Sequence, residues 1–202
     1  MEKDVAACVI AGGRSRRMGR DKRLLCLDGA TLMDRTLAIL EPLFEKIIIV
    51  LASPLKGWNG VAHRVVYDAI QDCGSLGGLY TGLIESGASR IFAVACDMPF
   101  LNSDVIRYLV HIDRRADIVV AKLDNGFQPM HAVYSKHCAE PLEHMARSGN
   151  LRIQGLFENP LLKVKIITAP ELINLDPDLR SFRNINTPAD FEAAQALCMQ
   201  RP

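Results

Sequence analysis

The sequence lacks the features that mark several large functional classes. No apolar run approaches the roughly 20 residues of a membrane-spanning helix. The apolar run from Val5 is too short for a signal peptide, so we expect a cytoplasmic chain without a membrane partner. An excess of one charge is also missing, because the formal net charge is +1. With no basic face and 6% aromatic residues, the chain is not expected to bind nucleic acid.

Metal-binding and disulfide patterns are missing as well. No two of the six cysteines form a Cys-x-x-Cys pair. They are Cys8, Cys26, Cys73, Cys96, Cys138 and Cys198. His131, His137 and His144 have no second ligand at zinc-site spacing, which disfavours a zinc centre. We expect the cysteines to be buried thiols in a reducing compartment.

Apolar content is ample for one sizeable core, since 49% of the 202 residues are hydrophobic. No repeat or linker divides the chain, so residues 1–202 are expected to form a single domain. Strands are expected at Val5–Ile10, Lys46–Leu51, Arg64–Tyr67, Arg90–Cys96 and Asp117–Ala121. Helices are expected between them at Leu32–Phe44, Leu76–Ser86 and Asn102–Arg114. This alternation predicts an α/β fold with a mainly parallel sheet.

The pattern changes after Lys122. Two further strands are expected at Gly126–Ser135 and Leu162–Thr168. A helix is expected between them, at Lys136–Ala146. Thr187 as N-cap and Pro188 in the first helical position begin the last helix. We expect this part to add antiparallel strands or a small lobe.

A glycine-rich cationic segment follows the first strand. After Gly12 and Gly13 come six basic residues within ten positions, namely Arg14, Arg16, Arg17, Arg20, Lys22 and Arg23. Glycine lets backbone N–H groups approach a ligand, and the basic side chains attract anions, so the pattern favours a polyphosphate. The spacing fits neither a P-loop nor the dinucleotide fingerprint of dehydrogenases. A solvated basic turn stays open as the alternative.

Two acidic residues are expected near this segment, because ligands of open α/β sheets bind at the carboxyl ends of the strands. Asp97 ends an apolar strand just before Pro99, where its carboxylate suits Mg²⁺ beside bound phosphates. The alternative is that it forms the turn or caps the helix at Asn102. Asp68 begins a segment with two acids and three glycines, and could bind a ribose or a base, or cap a turn.

Together these residues resemble the molybdenum cofactor guanylyltransferases. The matching motifs occur in family order over nearly the whole chain, at Ile10–Lys22, Asp68, Gly74–Gly78, Asp97–Phe100 and Asn184–Asp190. The Gly12-Gly13 pair, with Asp21-Lys22, favours the guanylyl branch over the cytidylyl branch. The resemblance implies a Rossmann-like nucleotidyltransferase fold of the glycosyltransferase A type, with a mainly parallel sheet flanked by helices and a small antiparallel part.

The activity that the resemblance implies is transfer of GMP from Mg·GTP to molybdopterin carrying molybdenum, with release of pyrophosphate. Mg²⁺ is the implied cofactor; GTP, molybdopterin and molybdoenzyme apoproteins are the implied partners. The implied GTP-binding residues are Ile10, Ala11, Gly12, Gly13, Lys22, Asp68, Gly74, Gly78 and Asp97. Arg17, Lys22 and Asp97 are the implied catalytic residues, with Asp97 as metal ligand. Asn184 and Asn186 match asparagines tied to the pterin side or to catalysis.

The sequence departs from the family pattern at two places. Residues 50–53 (VLAS) offer no amide where many members have asparagine, and Gly74-Ser75-Leu76 replaces a common Gly-Pro-Leu. A cytidylyltransferase of the same fold is the nearest alternative function. A GTP-binding adaptor without catalytic activity is another, although the intact Lys22 and Asp97 argue against it.

Overall fold

Short apolar runs form the strands of the computed structural model, which describes residues 1–12, 24–54 and 62–199. The strands are β1 (Val5–Ile10), β2 (Cys26–Leu27), β3 (Ala30–Thr31), β4 (Ile47–Leu51), β5 (Arg64–Tyr67), β6 (Arg90–Ala95), β7 (Ile118–Leu123), β8 (Gly126–Ser135) and β9 (Val164–Thr168). The α-helices are α1 (Leu32–Leu40), α2 (Gly74–Glu85), α3 (Ser103–His111), α4 (Ala139–Arg147), α5 (Ala169–Leu172) and α6 (Pro188–Met199). Short 3₁₀ turns span Lys136–Cys138, Ile153–Glu158 and Arg180–Phe182.

A seven-stranded sheet in the order β5-β4-β1-β6-β8-β7-β9 forms the centre of the fold. Only β8 within this sheet runs against its neighbours, β6 and β7, and the other pairs are parallel. The predicted mainly parallel sheet is therefore confirmed. The expected antiparallel addition is a strand inside the main sheet, not a separate lobe, since β8 folds back on β7 through a tight hairpin.

Helices cover both faces of the sheet. On one face, α1 and α3 pack through Leu37 and Leu109 against a core that includes Val9 and Phe92. On the other face, α2 and α4 pack through apolar side chains such as Leu79 against the alternate strand positions. A smaller apolar cluster joins α6 to the β2–β3 hairpin. None of the helices described here is long and apolar enough to cross a membrane.

Several predicted boundaries differ from those of the structure. Helix α1 ends at Leu40, before the expected Phe44, because Pro42 has no N–H for a helical bond. Helix α3 begins after its N-cap Asn102 as expected but ends at His111. The β2–β3 hairpin was missed, although Asp28 and Gly29 both have positive φ and form the two-residue turn that an Asp-Gly pair favours.

The cysteines only partly match the expectation of buried thiols. Four of the six are buried, whereas Cys26 is exposed and Cys198 is partly exposed. Burial raises the pKa of Cys8 to about 12, so this thiol stays protonated at neutral pH. A Cβ on Gly82 would overlap the Cys8 sulfur, which means that α2 can lie this close to β1 only with glycine at that position.

We predict that Gly82→Ala lowers the free energy of unfolding by about 1–3 kcal/mol through overpacking. This loss opposes the roughly 1 kcal/mol by which alanine is the better helix former. Adding Cys8→Ala removes the sulfur and should restore most of the lost stability. Urea unfolding of the wild type, both single variants and the double variant measures the coupling. Strictly additive effects of the two changes would contradict this contact.

Candidate functional site

The strand order switches between β1 and β6. The chain runs from β1 outward through β4 to β5 and returns to β6 on the other side of β1. In open α/β sheets a ligand binds at the carboxyl edge of such a switch. Gly12 lies just beyond β1 and Asp97 just beyond β6. The N–H of Ala11 donates to the carbonyl of Val50 at 2.9 Å, which holds the end of β1 against β4.

The structure brings Gly12, Asp68 and Gly78 together at this edge. A Cβ on Gly12 would lie 3.4 Å from Asp68 Oδ2, and one on Gly78 would lie 3.7 Å from Asp68 Oδ1. The Gly78 position is also close to β1, because its Cβ would stand 2.7 Å from Ile10 Cγ2. Glycine at these two positions keeps side chains away from the carboxylate, and at position 78 it also lets α2 pack directly against Ile10.

The burial of the Asp68 carboxylate is electrostatically unfavourable, and a hydrogen bond from a ligand would reduce this penalty. Its side chain is buried, and no described residue gives Oδ1 a hydrogen bond. Burial raises the pKa of Asp68 to about 6, so the carboxylate is mainly ionised at neutral pH. A buried acceptor without a donor is unfavourable. This oxygen is therefore suited to receive a donor from a bound molecule.

Thr81 holds the backbone next to Asp68 and was missed in the sequence analysis. Its Oγ1 donates to the carbonyl of Gly77 at 2.8 Å and accepts the N–H of Ala69 at 2.9 Å. The Gln71 side-chain amide donates to the carbonyl of Asp68 at 2.8 Å. These bonds orient the loop after β5. A lone threonine inside an apolar helix was the sequence signal, but its partner could not be read from it.

Asp97 is half-buried in the turn after β6. It does not cap α3, because the Asn102 side chain accepts the N–H groups of Asp104 and Val105. The carbonyl of Asp97 accepts the N–H of Ile185 at 2.9 Å, a long-range bond that fastens a distant segment to this turn. Of the alternatives left open for Asp97, the cap is thereby excluded.

Asn184 and Asn186 lie on the wall of one cavity of about 530 Å³. Both are exposed, while Ile185 between them is buried, as expected for alternating positions of an extended segment. Asp190 accepts the N–H groups of Asn186 and Thr187, which begins α6 sharply. The polar residues of this wall are Asp124, Asn125, Arg183, Asn184, Asn186 and Asp190. Arg183 and the hairpin pair Asp124-Asn125 were missed in the sequence analysis.

The structure does not test the predicted roles of the remaining site residues. Gly74 begins α2 with a φ of +55°, and no described atom lies within 4 Å of a Cβ placed there. Its place in the fold is thus explained by backbone conformation, and its contact with GTP stays a prediction. Gly13, Arg17 and Lys22 lie outside the described residues.

A second polar cluster lies at the opposite edge of the sheet. Asp117 Oδ1 accepts the Ser135 hydroxyl and His137 Nδ1, each at 2.8 Å, and Oδ2 accepts the N–H of Lys163 at 2.9 Å. Burial acts to raise the pKa of Asp117, but these donors hold it below its usual value. Because Ser135 and His137 both point at the carboxylate, they form no nucleophile–base pair. The cluster ties β7, β8 and the entry to β9 together.

The described residues contain no group of three or more His, Cys, Asp and Glu placed to hold a metal ion together. A site at Asp97 would thus depend on few protein ligands. This is the ordinary situation for Mg²⁺, which is usually bound by one or two carboxylates together with substrate phosphates and water.

Comparison with known proteins gives a consistent family. The model of the MobA-like NTP transferase domain matches residues 7–162. A molybdenum cofactor guanylyltransferase of Desulfosudis oleivorans is 37% identical over 95% of each chain. A probable molybdenum cofactor guanylyltransferase of Natranaerobius thermophilus is 33% identical over 96% of this chain and 97% of its own.

A solved structure agrees with these relatives. The molybdopterin-guanine dinucleotide biosynthesis protein A of Archaeoglobus fulgidus superposes with a TM-score of 0.85 at 26% identity, over 97% of this chain and 100% of its own. The expected Rossmann-like nucleotidyltransferase fold is confirmed. The family model covers most of the chain and the relatives span nearly all of it, so the chain belongs to the molybdenum cofactor guanylyltransferases, a family of nucleotidyltransferases.

Proposed function

We propose that this enzyme transfers GMP from Mg·GTP to molybdopterin carrying molybdenum, forming molybdopterin guanine dinucleotide and pyrophosphate. The observation that carries the proposal is the buried Asp68 carboxylate beside Gly12 and Gly78, whose Oδ1 receives no hydrogen bond from the described residues. The names of the relatives support the acceptor.

Asp68 is matched to the nucleoside end of GTP by its charge. Phosphates would be repelled by a carboxylate, whereas guanine presents an N1–H and a 2-amino group side by side as donors. An ionised carboxylate accepts both. Cytosine offers one amino donor next to a ring acceptor, so it would satisfy this site less well.

The triphosphate end is assigned to the cationic segment and Asp97. Arg17 and Lys22 supply positive charge to the phosphates in this proposal. Asp97 would hold the divalent cation, since it offers an oxygen ligand at the strand edge where the nucleotide is placed. When bound, the cation neutralises charge on the triphosphate and on the departing pyrophosphate.

The transfer itself needs no general base. An acceptor phosphate oxygen, already anionic at neutral pH, bonds to the α-phosphorus of GTP. The bond from that phosphorus to the α–β bridging oxygen breaks, and its electron pair leaves with pyrophosphate. The protein's task is to hold the two substrates in line and to balance charge. We assign the acceptor to the cavity wall that carries Asn184 and Asn186.

We predict that Asp68→Asn weakens GTP binding by about 10- to 100-fold, corresponding to the 1.5–3 kcal/mol of a hydrogen bond to a charged group. The amide would also turn a donor toward the donors of guanine. Titration calorimetry with GTP, CTP and ATP measures the effect. The same change at the exposed hairpin turn, Asp28→Asn, is the matched control and should leave affinity unchanged.

The raised pKa of Asp68 gives this prediction a pH dependence. As pH falls through about 6, the wild-type carboxylate takes up a proton and loses acceptor capacity, so GTP affinity should fall. Asp68→Asn should lack this component, while protonation of the GTP phosphates affects both proteins alike. Equal pH profiles, or CTP bound as tightly as GTP, would contradict the assignment of Asp68 to guanine.

We predict that Asp97→Asn lowers pyrophosphate release on the order of 10²–10³-fold, the usual cost of removing one group that stabilises transition-state charge. The fold should persist, because the backbone bond from Ile185 does not use the carboxylate. Assays across a Mg²⁺ titration, with Asp104→Asn as an exposed control, provide the test. Turnover like that of the wild type would rule out Asp97 as the metal ligand.

We predict that Asn184→Asp and Asn186→Asp lower transfer to molybdopterin more than they lower GTP affinity. A new negative charge at either position would repel the acceptor phosphate. Asn150→Asp, an exposed change in another loop, is the control. Normal transfer by both variants, or equal loss of GTP and acceptor binding, would remove these residues from the acceptor site. Transfer with pyrophosphate release by the wild type also excludes the non-catalytic adaptor.

A further inference from the structure

Residues 181–186, which carry both cavity asparagines, are held at two points by neighbouring strands. At one end, the carbonyl of Ser181 bonds to His131 Nδ1 at 3.2 Å. At the other, Ile185 N–H donates to the carbonyl of Asp97 at 2.9 Å. His131 lies on β8 directly opposite Val94 of β6, and β6 leads into Asp97. Both attachments therefore lead back to the paired strands β6 and β8.

The His131 ring is in a single defined state. It is fully buried, edge-on to Phe92 at 5.3 Å and stacked on Phe182 at 4.5 Å between ring centres. A carbonyl oxygen can only accept, so Nδ1 carries the proton that bonds to Ser181. Burial lowers the pKa of His131 to about 4, and the ring is neutral at neutral pH.

The second ring nitrogen, Nε2, makes this histidine unfavourable for stability. No described residue gives Nε2 a hydrogen-bond partner, so a buried polar atom is left unsatisfied. Phenylalanine would fill the same apolar surroundings without that cost. What the histidine contributes in exchange is one N–H donor, aimed at the segment that leads into the acceptor cavity.

Asp176 prepares the carbonyl that receives this donor. Its buried carboxylate accepts the N–H of Arg180 at 3.1 Å, and the N–H and hydroxyl of Ser181 at 2.8 and 2.7 Å. Leu179, at a φ of +49°, turns the chain within this clamp. These bonds and the turn at Leu179 fix the direction and the position of the Ser181 carbonyl that His131 binds.

From these contacts we propose that His131 is a positioning residue for nucleotidyl transfer. Its Nδ1–H bond to Ser181, together with the Ile185–Asp97 bond, sets the place of Asn184 and Asn186 relative to Asp97. The acceptor side is thus held at a fixed distance from the nucleotide side. This inference rests on the proposed acceptor role of the two asparagines.

Two variants of His131 separate the donor from the ring. His131→Phe keeps the ring and its apolar contacts but loses the donor, whereas His131→Asn keeps an N–H close to the Nδ1 position but loses the ring. We expect His131→Phe to raise the KM for molybdopterin or lower transfer by roughly tenfold, the equivalent of one hydrogen bond. Its Kd for GTP should stay unchanged.

The order of the two variants distinguishes positioning from packing. The cavity that the smaller side chain leaves should make His131→Asn the less stable of the two, yet its acceptor KM should lie closer to that of the wild type. A purely structural role gives the opposite order. Ser135→Ala, which removes a buried hydroxyl at the other end of β8, is the control and should leave the acceptor KM unchanged.

Hydrogen–deuterium exchange gives a readout that does not depend on activity. In His131→Phe, peptides covering residues 181–187 should exchange faster than in the wild type, while those covering β1 should not change. Wild-type transfer by His131→Phe, unchanged exchange, or a worse acceptor KM in His131→Asn would each overturn the proposal. If the wild type transfers no GMP to molybdopterin, the proposed function fails, and exchange alone decides whether His131 anchors the segment.

Discussion

The buried position of β1 is the constraint on which the site depends. All six residues of this strand are buried, and it bonds to β4 on one side and to β6 on the other. Its carboxyl end must therefore open between the ends of two parallel neighbours. Gly12 leaves β1 there, and Asp97 leaves β6 beside it. The proximity of Gly12 and Asp97 therefore follows from strand order.

Charge is distributed unevenly over the parts of the sequence that are expected to bind the ligand. Asp68 is buried and its pKa is raised, and Asp97 is half-buried in a turn. In the sequence, six basic residues are concentrated in the segment that follows Gly12. A molecule that is anionic at one end and rich in N–H donors at the other matches this arrangement. A nucleoside triphosphate has that polarity, and the proposed function therefore gives Asp68 to its base and Asp97 to its phosphates.

Much of the sheet could be predicted from sequence, because strands buried on both faces appear as continuous apolar runs. Val5–Ile10, which is buried throughout, was predicted with its observed bounds. The bounds of the edge strand Arg64–Tyr67 were also predicted, although that strand is only partly buried. The gathering of Asp68 with the glycines around it followed from the rule for strand ends. The bonds that fasten Ile185 to Asp97 could not be predicted, since they join residues far apart in the chain through backbone atoms. His131 was considered only as a zinc ligand, because its spacing says nothing about a carbonyl fifty residues away.

The buried polar groups of the core differ in whether each of their polar atoms has a hydrogen-bond partner. Asp117 is buried at the far edge with a donor on each oxygen, which is the pattern of a group retained for stability. Asp68 and His131 are each buried with one atom unsatisfied among the described residues, and both lie on the ligand side of the sheet. For Asp68, the proposed contact with a nucleoside would supply the missing hydrogen bond. For His131 no ligand is needed, because the hydrogen bond from Nδ1 to Ser181 already gives the residue its proposed positioning role. A buried atom without a hydrogen-bond partner therefore indicates function only when the geometry shows what the same side chain binds or positions.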